Sequence, residues 1–337
     1  VKKVSAKFLG GNIDSQKILS DMGLKGESFS SWVSAYSNKR ILQTKHLDIL
    51  SSYDLILGFG IPPSLIFFMN EKGISFIDFE LSPYRFLDSL TLSVRTNNPI
   101  FLKQIDQIKI KTSYLVSKAQ EMSNYFSSLS YEKYIRRQNS SKNAVFFTQT
   151  RHDASLIMDG IIYNPSSEDI FDYIYKEFKK FDNVFISVHP LEKDLTEAKK
   201  IISGISNSIL SRNISYSYFF DNQISKFYSL SSSLLAELEL FHKNKGLRLI
   251  APDIHFSSLL KDTSNLRTVD NKIFSLEFWE NILTKSDHTY DKGFEGVQKE
   301  FFGWNVNNFK KEVIRYPMLV SKGDYLGPQE IYNSSSF

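Results

Sequence analysis

Three short apolar runs in this sequence end in side chains that can do chemistry. Residues 74–79 run into Glu80, Ser82, Pro83 and Arg85, and residues 144–149 into Thr150, Arg151, His152, Asp153 and Ser155. Residues 183–188 run into His189 and Pro190. As parallel strands, these runs would turn their carboxyl ends toward one crevice, where open α/β sheets bind ligands. Glu80 and Arg85, divided by a proline turn, suit a hydroxyl and an anion, or else form a plain surface ion pair. Asp78 and Glu80 share one strand face and would suit a divalent cation. No third ligand accompanies them in sequence, so no metal site is expected.

Asp153 stands beside Arg151 and His152, cations or hydrogen-bond donors that hold a carboxylate ionised. An ionised carboxylate at a cleft is what a covalent glycosyl-transfer step requires; the alternative is a loop aspartate closing an Asx-turn. After His189 the proline fixes the turn and sends the imidazole toward the crevice, although a lone histidine is more often structural. Ser231, Ser232 and Ser233 precede an apolar periodicity at Leu234, Leu235, Leu238 and Phe241. Hydroxyls and N–H groups at a helix start make a phosphate site or an ordinary N-cap. Glu237, one turn in, is placed to reach a ribose or to sit in solvent. No GxGxxG fingerprint, P-loop, zinc-histidine pattern or GxSxG elbow occurs.

The elements that must position these groups alternate strand with helix, the mark of parallel α/β domains. In the first half, strands are expected at 54–58 and 74–79, a helix at 64–72 closed by Gly73, and a long helical stretch over 101–137. A polar segment at 138–142 reads as a linker. The second half repeats the grammar: strands at 144–149, 183–188, 214–219 and 247–251, and helices at 167–181 and 234–241. After Asp287 the pattern is irregular, with aromatic residues at Phe301, Phe302 and Trp304. The expected architecture is therefore α/β, with two Rossmann-like domains facing a cleft as in the GT-B arrangement. Residues 1–138 would form the first domain, 139–290 the second, and 291–337 a tail packing back on both. Glu80 and Asp153 would face each other across the cleft.

Composition agrees with two globular domains. The 337 residues are 42% hydrophobic and 23% charged, with 28 Phe and 17 Tyr to fill cores or line sugar-facing surfaces. The net charge of +4 comes from 41 basic against 37 acidic residues, a balance that suits anionic ligands but is no nucleic-acid footprint. The absence of cysteine excludes disulfides and thiolate metal sites. No run of 18 apolar residues suggests a spanning helix, and the first residues, VKKVSAKFLGGN, lack the apolar stretch of a secretory signal.

With Glu80, Asp153 and His189 in this order, the sequence resembles the bacterial retaining β-Kdo glycosyltransferases. The likeness rests on 79–86 (FELSPYRF), 149–155 (QTRHDAS) and 188–190 (VHP), and spans roughly 54–237. It implies a CMP-Kdo donor, a bacterial surface glycan acceptor such as O-antigen or capsule oligosaccharide, and double displacement through an aspartyl-sugar intermediate. Asp153 then becomes the nucleophile, with Glu80 and His189 in supporting catalytic roles. Arg85 or Arg151 would neutralise the Kdo carboxylate, and Gln149, His152, Ser155, Ser231, Ser232, Ser233 and Glu237 would complete the donor side. No cofactor is implied, because CMP is a good leaving group without metal assistance. The setting implied is cytoplasmic, with room for peripheral contact at the inner face of the inner membrane. The His-Pro pair and the serine run are also similar to those of bacterial GT-B sialyltransferases. That leaves open an inverting enzyme using CMP-sialic acid, with Asp153 as a base, or a noncatalytic CMP-sugar or glycan-binding protein.

Overall fold

The computed structural model describes residues 14–24, 28–87, 91–128, 142–151, 153–189, 192, 194–211, 215–221, 223–242, 245–250 and 266–284. The chain opens with helices α1 (Ser15–Asp21) and α2 (Phe29–Tyr36), capped by Asp14 and Ser28, whose side chains accept backbone N–H groups of the first turn. Strand β1 (Ile56–Phe59) leads to helix α3 (Pro63–Glu71), which has proline at its first position, where no N–H is needed. Strands β2 (Phe76–Leu81) and β3 (Leu92–Thr96) follow. Helix α4 (Pro99–Gln107) starts from Asn98, whose side chain accepts from the N–H groups of Ile100 and Phe101. Helix α5 (Thr112–Ser128) is separate from it, so the helical stretch expected over 101–137 is two helices as far as residue 128, and 129–137 lie outside the described residues.

The second half begins with strand β4 (Asn143–Phe147) and the small hairpin of β5 (Ile157–Met158) and β6 (Ile161–Ile162). Helix α6 (Glu168–Phe178) carries Glu168 and Asp169 in its first turn and Lys176 in its last, matching the helix dipole. Its Ile170, Ile174 and Phe178 form the buried face at helical spacing. Then come β7 (Asn183–Ser187), α7 (Thr196–Gly204), β8 (Ser208–Ser211), α8 (Ser215–Phe219), β9 (Ile224–Ser229), α9 (Leu234–Phe241) and β10 (Gly246–Arg248). Strand β11 (Leu266–Val269) and helix α10 (Leu276–Thr284) end the described chain.

Two main sheets result. The second is wholly parallel, in the order β10-β9-β4-β7-β8. Starting at the centre with β4, the chain builds β7 and β8 on one side, then crosses to build β9 and β10 on the other, which is doubly wound topology. Because side chains alternate along β4, Val145 and Phe147 enter a core shared with α5, α8 and α9, while Ala144 and Phe146 enter another shared with α6 and α7. Burial on both faces explains why these strands read as continuous apolar runs.

The first sheet runs β1-β2-β3-β11 and is mixed: β1 pairs in parallel with β2, whereas β2 with β3 and β3 with β11 are antiparallel. The doubly wound order therefore belongs to the second sheet, and the fold is mixed α/β. Three expectations are corrected. Residues 215–219 form helix α8 rather than a strand, their aromatics buried around Phe147. Strand β11 lies within the range 139–290 expected for the second domain, yet it completes the first sheet through backbone pairing with β3, and α10 packs on α4. Conversely α5, inside 1–138, packs on α9 with Leu115, Ala119 and Met122 in the core of the second sheet. Apart from Lys142, the expected linker lies outside the described residues, as does the tail 291–337 with its aromatic cluster.

Candidate active site

The register of the second sheet sets the level of three chemistry-bearing residues. Phe147 on β4 is aligned with Ser187 on β7 and with Ser229 on β9. Two residues beyond each of these positions stand Gln149, His189 and Ser231. They therefore leave three adjacent parallel strands at one height, where the strand order reverses.

Gln149 ties this level together. Its amide nitrogen lies 2.6 Å from Ser155 Oγ, 3.1 Å from Ser231 Oγ and 3.2 Å from Asp153 Oδ2, three acceptors sharing its two hydrogens. Its amide oxygen accepts the backbone N–H of Ser231 at 2.9 Å. Ser231, buried, also donates its hydroxyl to the carbonyl of Ser155 at 2.5 Å. Asp153 caps a short 3₁₀ turn, Ala154–Leu156, and its Oδ1 accepts the N–H of Ser155 at 2.9 Å. The Asx-turn weighed from sequence is thus present, and together with Gln149 it fixes both carboxylate oxygens.

Beside this group, His189 has its backbone N–H bonded to Thr148 Oγ1 at 3.1 Å. Burial pushes its imidazole below the usual histidine range, and the negative fields of Asp153 and then Glu192 partly oppose that. Pro190 and His152 lie outside the described residues. Arg151 turns to the surface. Its guanidinium pairs with Asp194 at 2.9 Å, and its backbone N–H donates to Glu192 at 2.9 Å. The group that holds the Asp153 carboxylate is therefore the Gln149 amide rather than the neighbouring arginine. Gln149 and Arg151 help to line a cavity of about 360 Å³, together with the apolar Phe146, Val188 and Leu230 and the polar Asn164, Glu192 and Glu197.

Glu80 sits in the first sheet, inside β2 rather than beyond its end. Its partner is not Arg85 but Arg95 of β3, whose Nη2 lies 3.3 Å from Glu80 Oε1 and 2.6 Å from Asp78 Oδ2. The guanidinium thus occupies the place between the two carboxylates that a cation would take. Burial raises the Glu80 carboxyl to about 7; Arg95 pulls it down and Asp78 pushes it up. Burial also raises Asp78, against the pull of Arg95 and of the Ile61 N–H that Asp78 accepts. Among the described residues, no group of three or more histidines and carboxylates could hold a metal ion.

The ribose-facing place expected for Glu237 is corrected. Glu237 is fully buried, its Oε1 accepting the backbone N–H of Arg85 at 2.6 Å and its Oε2 bonded to the Tyr216 hydroxyl. Neither a ribose contact nor solvent exposure fits that environment. Ser232 uses its hydroxyl to accept the N–H of Leu234 at 3.3 Å, and Ser233 is the N-cap of α9 without a side-chain cap bond. Two contributors were missed in the sequence. Strand β9, which delivers Ser231, is too polar at Ser225 and Lys226 to stand out as an apolar run. Arg95 pairs across an antiparallel ladder that local spacing does not show.

Among the described residues, no helix is long and apolar enough to cross a membrane. No family model matches the chain, and no curated protein matches it. Among solved structures it is similar to the Thermosulfurimonas dismutans KpsC, a beta Kdo 2,7 transferase, at 13% identity and a TM-score of 0.34, over 60% of this chain and 67% of that one.

Proposed function

We propose that this chain is a retaining glycosyltransferase that moves Kdo from CMP-β-Kdo to a hydroxyl of a bacterial surface glycan, at the cytoplasmic face of the inner membrane. The observation that carries this reading is the Asp153 carboxylate, held by Gln149 at the level where three parallel strands end. The segments FELSPYRF, QTRHDAS and VHP support the choice of donor.

In this mechanism an Asp153 oxygen attacks the anomeric carbon as the bond to the CMP phosphate breaks, giving an aspartyl-Kdo ester and free CMP. His189 and the region of Ser232 and Ser233 take the departing phosphate, since a helix start and an imidazole both favour an anion. An acceptor hydroxyl then attacks the same carbon, Glu80 receives its proton, and the Asp153 carboxylate is released. Two inversions at one carbon retain the configuration. Glu80 near neutrality suits a general base. The buried serines and Gln149 act on Asp153 by holding it, not by touching the donor. Two domains would face each other across the cleft, with the acceptor entering from the side of Glu80.

Incubating the protein with CMP-Kdo and, separately, CMP-sialic acid and measuring CMP release tests the proposal. Turnover of CMP-Kdo with a retained linkage is expected. Turnover of CMP-sialic acid with an inverted linkage would favour the sialyltransferase reading, and binding without turnover would favour a noncatalytic protein.

A further inference from the structure

One buried face of the first sheet is polar where an apolar face would be cheaper. On β2 and β3 the antiparallel register sets Asp78 opposite Arg95 and Glu80 opposite Ser93. Residues two apart on a strand share a face, so these four side chains line one surface, and all four are buried. Burying such groups is costly unless each is paired.

The pairing is uneven. Arg95 is anchored without help from Glu80: its Nε donates to Asp78 Oδ2 at 2.7 Å and its Nη2 to the carbonyl of Ile61 at 2.8 Å. Asp78 Oδ1 in turn accepts the N–H of Ile61 at 2.9 Å, which locks the turn after β1. Glu80 receives from Arg95 only a long contact of 3.3 Å to Oε1. Glu80 Oε2, Ser93 Oγ and Arg95 Nη1 are buried without hydrogen-bond partners. Three unmet groups gathered on one face are what a substrate hydroxyl satisfies, donating to the carboxylate while accepting from its neighbours.

We propose that Arg95, locked by Asp78, is a positioning residue for Glu80: it holds Oε1 and leaves Oε2 as the oxygen that takes the acceptor proton. This deepens the proposed function and rests on its assignment of Glu80 as the base. Among the described residues, the charged groups acting on Glu80 are Arg95 from β3 and Asp78 from its own strand. They act in opposite directions, so removing them must move Glu80 in opposite directions.

The test uses full-length protein with 13C-labelled glutamate, the Glu80 signal being assigned by its loss in Glu80→Gln. In Asp78→Asn, Arg95 is freed to pair with Glu80, and the carboxyl should titrate about one pH unit lower than wild type. In the double variant Asp78→Asn, Arg95→Gln, which removes both charges, it should titrate higher than wild type, because the pull of Arg95 is the larger of the two effects. The acid limb of the pH–rate profile should follow the same two shifts, whereas a merely structural role would lower the rate without moving the limb. An unmoved Glu80 titration in Asp78→Asn overturns the proposal, and that variant alone decides it if the double variant does not fold. If the titration moves but the rate profile does not, the positioning stands and the assignment of Glu80 as the base fails.

Discussion

The carboxyl of Glu237 accepts the backbone N–H of Arg85 at 2.6 Å, joining helix α9 of the second half to the loop that follows Glu80 in the first. Burial raises Glu237 to about 8, with Tyr216 and Arg85 opposing the shift, so the carboxyl is largely protonated at neutral pH. Glu237→Gln, which reproduces the neutral acid, should change stability by less than about 1 kcal/mol. Glu237→Ala leaves Arg85 N–H and Tyr216 buried without this partner and should cost about 3 kcal/mol. The sign of the pH effect follows. With a folded value of about 8 above the ordinary 4.5, the stability tied to Glu237 is full below pH 4.5 and is lost as pH rises through about 8. Urea unfolding at pH 6 and pH 8.5 should show wild type losing stability over that interval and Glu237→Gln losing less.

Gln149 is the hub of the second-sheet site, and its removal should hurt catalysis more than binding. Gln149→Ala leaves Asp153 with only its Asx contact, a loss of orientation that should lower kcat about 100-fold. It should also cost about 2 kcal/mol, because the buried N–H of Ser231 loses its acceptor while the Ser231 hydroxyl keeps the Ser155 carbonyl. Steady-state kinetics with CMP-Kdo would show kcat falling while KM changes little.

The three serines should separate by role. Ser231→Ala disturbs Gln149 and Ser155, so it should reduce activity and stability while leaving CMP affinity nearly intact. The double change Ser232→Ala, Ser233→Ala should instead weaken CMP, as titration by calorimetry would show. Unchanged affinity in the double variant removes the start of α9 from the phosphate site.

His189 links donor binding to protons. Burial holds the imidazole low and therefore neutral at pH 7, and an arriving phosphate favours its protonated form. CMP affinity should rise as pH falls from 7 toward 6, with proton uptake seen as a dependence of the binding heat on buffer ionisation enthalpy. His189→Gln should reduce that uptake to the part owed to the CMP phosphate itself.

The local pattern carried much of the fold. The bounds of α9 follow from its apolar spacing, and β4 and β7 follow from runs whose residues are buried on both sheet faces. Residues 215–219 alternate polar with aromatic as a strand does, but packing around Phe147 makes them helical, a tertiary effect that periodicity cannot register. The cluster of Gln149, Asp153 and Ser155 was legible because it lies within seven residues of sequence. Its link to Ser231 depends on β9 entering beside β4, and the partners Arg95 of Glu80 and Tyr216 of Glu237 come from separate elements. Side chains that meet only through pairing or helix packing leave no trace in local spacing.

Whether Asp153 itself carries the sugar is decided by looking for the sugar on the protein. Loss of activity in Asp153→Ala would not suffice, because a general base would fail as well. Protein should instead be incubated with CMP-Kdo and no acceptor, digested, and analysed by mass spectrometry. Glu80→Gln is a useful background, since slowing the acceptor step lets the intermediate accumulate. One added Kdo is expected on the peptide containing Asp153, lost when acceptor is supplied to the wild-type enzyme. An active enzyme with no adduct in either background, forming a product of inverted configuration, would contradict double displacement and make Asp153 a base.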